Sequence, residues 1–211
     1  MITLYTWKTP NGRKPAIMLE EVGLPYTVKG VDISANAQFG PAFLAISPNN
    51  KIPAIVDHDA PWGAQAVFES GAILTYLAEK SGRLLPPAGP AHWAVQEWLH
   101  WSIGGLGPML GQLNFFALRS DQKAPLAIER FTREGKRLLG VLEKRLATTR
   151  YVAGDEYSIA DIVSYPWMHA ASTGMAAVLG DTFAASPATQ DWMARLRERP
   201  AVAKGMKIFE Q

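Results

Sequence analysis

Residues 50–79 read NKIPAIVDHDAPWGAQAVFESGAILTYLAE, and three patterns follow one another inside this stretch. Ile52 to Val56 is a short apolar run rich in β-branched side chains, which favours a strand. Its Pro53 is tolerated because the first positions of a strand need not donate to the ladder. The turn formers Asp57, Asp59, Pro61 and Gly63 come next, and then a second strand-like run, Gln65 to Phe68. From Ser70 the period changes: Ile73, Leu74 and Leu77 share one side of a helix reaching to about Glu79. Ser70 suits the cap of that helix, since its hydroxyl can accept one of the unpaired first-turn amides. The stretch therefore encodes two strands joined by a turn and closed by a helix.

Towards the amino terminus the alternation continues. Ile2 to Thr6 reads as a strand and breaks at Thr9-Pro10-Asn11-Gly12, a dense turn signal. Arg13 to Val22 follows as a helix with Ile17, Met18 and Val22 on one side, ended by Gly23-Leu24-Pro25. Tyr26 to Val31 alternates as another strand, and Pro41 to Ala45 carries a weak helical turn. The order is βαβ followed by (α)ββα.

Towards the carboxyl terminus the pattern becomes helical. Leu84 to Pro90 reads LLPPAGP and serves as a linker, because its prolines and glycine resist helix formation. Beyond it lie a helical stretch from His92 to about Ala117, interrupted near Gly104-Gly105-Leu106-Gly107-Pro108, and an amphipathic helix from Pro125 to Thr148. Two more helices are expected over Ser158 to Thr173 and Thr189 to Arg199. Ser158-Ile159-Ala160-Asp161 is a capping box variant that starts the first of these. The fold class is α/β plus all-α, with domain 1–83, linker 84–90 and an all-helical domain 91–211.

Composition narrows the function. Lysine and arginine total 21 against 19 acidic residues, a formal net charge of +2 spread along the chain. No basic stripe is present to follow a phosphate backbone, so nucleic acid is not an expected partner. No apolar run approaches the roughly 18 residues of a membrane span, and Met1 to Tyr5 enters a strand pattern without a targeting signature. The chain holds no cysteine. It therefore brings no disulfide, thiolate ligand or cysteine nucleophile of its own, which fits a cytoplasmic location. The histidines at 58, 92, 100 and 169 lack metal-ligand spacing, and no metal is expected.

Four segments of the first domain carry chemistry. Thr9 and Asn11 stand where a strand meets a helix amino terminus, a place that stabilises anions, including a thiolate; the same residues also make an ordinary tight turn. Ile52-Pro53 enters a strand, and a cis bond there would turn the Ile52 amide and carbonyl outward towards an extended ligand. Glu69 and Ser70, at a helix start, suit the ammonium and carboxylate of an α-amino acid end group. Gln38 and Lys51 are polar groups ahead of the third strand, compatible with ligand contact or with plain surface.

Taken together, TPNGRK (9–14), SPNNKIPAIVD (47–57) and FESGAILTYLAEK (68–80) resemble the cytosolic glutathione transferases. The likeness extends through WLHWSIGGLGPMLGQ (98–112), AIERF (127–131) and YSIADI (157–162), and is strongest to the bacterial nu class, whose members also reduce disulfide bonds. This resemblance implies a thioredoxin-like first domain with a mixed four-stranded sheet, a helical bundle, and a homodimer with glutathione in each first-domain cleft. It implies a cis Pro53, Glu69 and Ser70 at the γ-glutamyl end, Gln38 and Lys51 near the glycyl end, and Thr9 and Asn11 beside the sulfur. Arg130 matches an arginine that reaches the glutathione region.

With no cysteine in the chain, bound glutathione must supply the sulfur in any disulfide reduction, and the same thiolate could attack a small electrophile or a peroxide. Tyr5 is a rival sulfur ligand, since several transferase classes use a tyrosine near the end of the first strand. Trp7, Trp98, Trp101, Phe115 and Phe116 could line an electrophile pocket or pack as core. A glutathione-binding regulator and a carrier of apolar ligands are the alternatives outside catalysis.

Overall fold

In the computed structural model, which describes residues 1–209, Ile2–Thr6 forms β1, and its β-branched and apolar residues put Ile2 and Leu4 into the core. Tyr26–Gly30 (β2) pairs parallel to it, while Ala54–Asp57 (β3) pairs antiparallel on its other side. Gln65–Phe68 (β4) completes a mixed sheet of order β2-β1-β3-β4. The Ile52–Pro53 bond is cis, and β3 starts two residues later than the sequence suggests because Pro53 has no N–H for the ladder.

The first helix, α1, spans Pro10–Val22 and starts earlier than Arg13 because Pro10 takes the first helical position, where a missing N–H costs nothing. It ends on Gly23 at φ 71, a left-handed cap that glycine adopts without Cβ strain. After β2, short 3₁₀ turns over Ile33–Ala35 and Ala37–Phe39 lead into a single helical turn, α2, Pro41–Leu44. Following β4, α3 spans Ser70–Ser81 and buries Ile73, Leu74 and Leu77. Glu69, not Ser70, occupies its cap position and makes no side-chain cap bond.

These elements belong to one compact unit, Met1–Pro87 together with the chain from Glu198 onward. The returning segment contains α10, Pro200–Met206, which packs on α1. Gly205 makes that approach possible, since a Cβ there would lie 2.5 Å from the Ile17 backbone nitrogen. Arg199 seals the contact by donating from Nε and Nη2 to Glu21 at 2.7 and 2.8 Å. The break before α10 follows from Pro200, which forces Arg199 into extended backbone at ψ 124.

The second unit, Ala88–Arg197, is helical. α4 (Gly89–Trp101), α5 (Gly107–Asn114), α6 (Pro125–Leu146), α7 (Ile159–Gly174), α8 (Ala176–Ala184) and α9 (Pro187–Arg197) make it up. The glycine-rich 102–106 stretch does not interrupt the helical path: it winds as a π-helical segment between α4 and α5. The capping box at the start of α7 forms, with the Ser158 amide donating to Asp161 Oδ2 at 3.0 Å. α7 is buried on nearly every side, and α8 was not anticipated from the sequence pattern. No described helix is long and apolar enough to cross a membrane.

Candidate glutathione site

One row across the sheet gathers the site. Tyr5 of β1 lies opposite Ala54 of β3, and Ala54 lies opposite Phe68 of β4. The chain leaves β1 just past this row towards Thr9, enters β3 just before it through Ile52 and Pro53, and leaves β4 at it towards Glu69 and Ser70. The end of β2 joins the same edge, since the Val31 amide donates to the Thr6 carbonyl at 2.9 Å. Sheet register alone therefore brings three of the four sequence-predicted segments to one end of the first unit.

The turn into α1 is tightly pinned. The Thr9 amide donates to the Trp7 carbonyl at 2.7 Å, and the Thr6 hydroxyl donates to the Gly12 carbonyl at 2.9 Å. Thr9 caps α1, its hydroxyl oxygen accepting the Gly12 amide at 3.0 Å. A hydroxyl that accepts in this way keeps its own proton for donation to an anion beside the helix terminus. Asn11 stands on the first helical turn, half-buried. Gly12 is required here, because a Cβ would overlap the Trp7 carbonyl oxygen and the Thr6 hydroxyl.

At the start of α3, Glu69 adopts φ 69 and ψ 119, a conformation that strains a residue with a side chain. The first intrahelical bond runs from the Ile73 amide to the Glu69 carbonyl at 2.9 Å. The amides of Ser70, Gly71 and Ala72 precede it, an arrangement that suits a carboxylate. Glu69 Oε1 accepts from Asn49 Nδ2 at 3.5 Å, so the exposed carboxylate stands over the 47–52 loop. That loop is held by the Ser47 hydroxyl, which donates to the Lys51 carbonyl at 2.9 Å. Among the described residues neither the amide nor the carbonyl of Ile52 meets a hydrogen-bond partner.

Lys51 is exposed, and Gln38 lies in the Ala37–Phe39 turn with its carboxamide oxygen buried and without a partner among the described residues. Arg130 lies in the second unit, exposed on α6, and with Met109, Phe131, Arg133 and Glu134 it lines a cleft of about 210 Å³. Two neighbours escaped sequence reading. Asn49 meets Glu69, as above, and Lys14 is buried in α1 with its Nζ 3.4 Å from the Ser70 hydroxyl. Burial brings the Lys14 amine down to about 7, against the opposing pull of Glu69.

The remaining aromatic candidates contact neighbouring side chains. Lys29 Nζ donates to the Tyr5 hydroxyl at 3.5 Å, and the Tyr5 ring packs with Phe43. Trp7 packs against Phe209 with the rings tilted, 5.0 Å between ring centroids. Trp98 and Trp101 meet edge to face, with the Arg145 guanidinium over Trp98. Phe115 remains half exposed, and Phe116 stacks on Phe131. No group of three or more histidine, aspartate or glutamate side chains among the described residues has a metal-binding arrangement.

Comparison with known proteins agrees with this fold. Residues 1–79 match the glutathione S-transferase N-terminal domain, and residues 106–200 match the corresponding C-terminal domain. The chain is 46% identical over 208 residues to the disulfide-bond oxidoreductase YfcG of Escherichia coli, covering 98% of this chain and 94% of that protein. A glutathione transferase family member from Pseudomonas fluorescens, solved with two glutathione bound, superposes with a TM-score of 0.93 at 43% identity, covering 97% of this chain and 92% of that one. A Pseudomonas putida glutathione transferase, with one glutathione disulfide per subunit, gives 0.93 at 41% identity, over 98% and 91% of the two chains. The chain belongs to the glutathione S-transferase family.

Proposed function

We propose that this chain is a glutathione-dependent transferase and disulfide-bond reductase in which the thiolate of bound glutathione is the nucleophile. The observation that carries the reading is the convergence of Thr9, the unpaired Ile52 backbone and the Glu69–Ser70 helix start on one end of a sheet, in a chain without cysteine. Glu69 would meet the γ-glutamyl ammonium, while the Ser70 hydroxyl and the first amides of α3 would meet its carboxylate. The Ile52 amide and carbonyl would pair with the cysteinyl backbone. Gln38 and Lys51 would lie towards the glycyl carboxylate. Thr9 and Asn11 would hold the sulfur, their donors favouring thiolate over thiol.

The chemistry supplied by glutathione is thiol–disulfide exchange. Its thiolate attacks one sulfur of a disulfide and expels the other as thiolate, and a second glutathione displaces the remaining sulfur to give oxidised glutathione. Two electrons pass from two glutathiones to the substrate disulfide, which leaves as two thiols. The same thiolate can add to a small carbon electrophile. The protein acts by binding, orienting and stabilising charge, and the reading includes a homodimer and a cytoplasmic location.

The test is the rate of hydroxyethyl disulfide reduction with glutathione, with glutathione reductase and NADPH recycling the oxidised product. A saturable rate supports the proposal. Glutathione binding without turnover on disulfides or electrophiles would overturn it in favour of a binding protein.

A further inference from the structure

Lys14 is the most deeply buried cation of the first unit, only 1% exposed, and no step above uses it. It projects from α1 to the start of α3, where its Nζ lies 3.4 Å from the Ser70 hydroxyl. A lysine is rarely so buried without a carboxylate in direct contact. Here the nearest hydrogen-bond partner is a neutral hydroxyl, and Glu69 acts on it only through space.

Among the described residues, the surrounding elements offer no other counter-ion. On α1, Glu20 is engaged by Tyr26 and Lys204, and Glu21 by Arg199. Arg199 and Lys204 of α10 are those same partners, and Arg13 beside Lys14 is cationic too. β1 carries no acidic or basic side chain, Tyr5 being its single ionisable group. On α3, Lys80 pairs with Asp57, and Glu79 lies on the exposed last turn. The buried ammonium thus faces a helix start whose own polar groups suit an incoming carboxylate.

We propose that Lys14 is the buried counter-ion of the γ-glutamyl carboxylate, a positioning residue whose protonation sets the direction of the Ser70 hydrogen bond and is coupled to glutathione binding. This deepens the site assignment above and rests on it. As an ammonium, Lys14 has only protons to offer, so the Ser70 oxygen accepts from it and the Ser70 proton is aimed at the ligand. As a neutral amine, it has a lone pair that accepts the Ser70 proton, and the hydroxyl then presents an oxygen to a carboxylate. Ligand binding therefore favours the charged amine, and by linkage the ligand brings a proton with it. The lowered affinity of the ligand-free amine for its proton, described above, puts this uptake in the neutral pH range.

The experiment is isothermal titration calorimetry with S-methylglutathione, which has no thiol to release a proton. Runs between pH 6.5 and 8 in buffers of different ionisation enthalpy count the protons taken up. The wild-type protein should take up roughly half a proton at pH 7 and nearly one at pH 8, its affinity falling roughly five- to tenfold over the range. Lys14→Met should bind at least tenfold more weakly at pH 6.5, with a flat pH profile and no uptake. Wild-type binding without proton uptake, or a Lys14→Met variant that keeps the wild-type profile, overturns the proposal. Should the variant not fold, the wild-type proton count decides alone. Absence of binding by either glutathione or S-methylglutathione overturns the site assignment itself, and this proposal with it.

Discussion

Thr9 and Gly12 are joined by a 3.0 Å hydrogen bond in which the glycine amide donates to the threonine hydroxyl, closing the first turn of α1. One oxygen thus has two tasks, capping the helix and, in the proposed function, donating its proton to the glutathione sulfur. Substitution can separate them. Thr9→Ser keeps both and should retain most disulfide-reductase activity. Thr9→Ala should lose about 1 kcal/mol of stability, the usual cost of a removed cap, and also lower kcat. Asn11→Ala, which leaves the cap intact, should lower kcat by about tenfold or more with little change in the urea midpoint. Equal kcat in Asn11→Ala and wild type would remove Asn11 from the reaction.

Gly12 fixes where that oxygen sits. A methyl group at this position would overlap the Trp7 carbonyl and the Thr6 hydroxyl, both of which already bond within the turn. The turn must shift, and overpacking of this kind costs about 1–3 kcal/mol. Gly12→Ala should therefore lower the thermal midpoint and cut kcat together, whereas Gly140→Ala, whose Cβ would meet open space inside α6, should leave kcat unchanged and raise the midpoint slightly, since alanine favours a helix over glycine. Thermal unfolding followed by circular dichroism and the coupled disulfide assay give the two readouts.

The elements around this turn were legible because each writes a local signal. β1, β4 and α3 followed from short β-branched runs and a change of period, and the turn from Thr9-Pro10-Asn11-Gly12. Errors fell where a side chain or a proline overrode the local pattern. Pro10 and Pro187 pulled the starts of α1 and α9 forward, Glu69 displaced Ser70 from the cap, and α10, opened by Pro200, was not expected. The return of α10 to α1 depends on Gly205 meeting Ile17 and Arg199 meeting Glu21, pairs far apart in sequence that no periodicity reports. Lys14 was invisible for a different reason. The helical period puts it on the side of Ile17 and Met18, but a lysine is so rarely buried that residue type masks the signal.

Asp161 shows how a legible motif can do more than its local pattern states. Beyond the capping box, its Oδ1 accepts the Val152 amide at 2.9 Å and the Trp192 indole N–H at 2.8 Å. All of these groups are buried, so removing the carboxylate strands several donors without solvent. Asp161→Ala should cost about 3–5 kcal/mol, more than a cap alone, because each stranded donor carries a desolvation penalty of about 1–3 kcal/mol. Trp192→Phe removes one donor and leaves a smaller ring in a fully buried site, so a cavity adds to the lost bond and the cost should be about 2 kcal/mol, below that of Asp161→Ala. Urea unfolding of the two variants checks the order, and a cost for Asp161→Ala no larger than that of an ordinary cap would contradict the network.

Lys14 also predicts how stability varies with pH in the ligand-free protein. Burial brings its amine down to about 7 in the folded chain, below the 10.5 of a solvated lysine, so the unfolded chain binds more protons between these two values. Stability from this group therefore increases as pH rises from about 7 towards 10, and the contribution is flat below 7. Lys14→Met has no such proton to release, so its stability should rise less steeply over that window. At pH 7 the variant should match or exceed the wild type, since an apolar chain of similar length replaces a buried cation lacking a direct carboxylate partner. Adding glutathione should reverse the order, because ligand stabilises only the protein that holds it. A merely structural lysine would make the variant weaker with and without ligand, so the crossing of the two stability curves, measured by urea unfolding at pH 7, separates the roles.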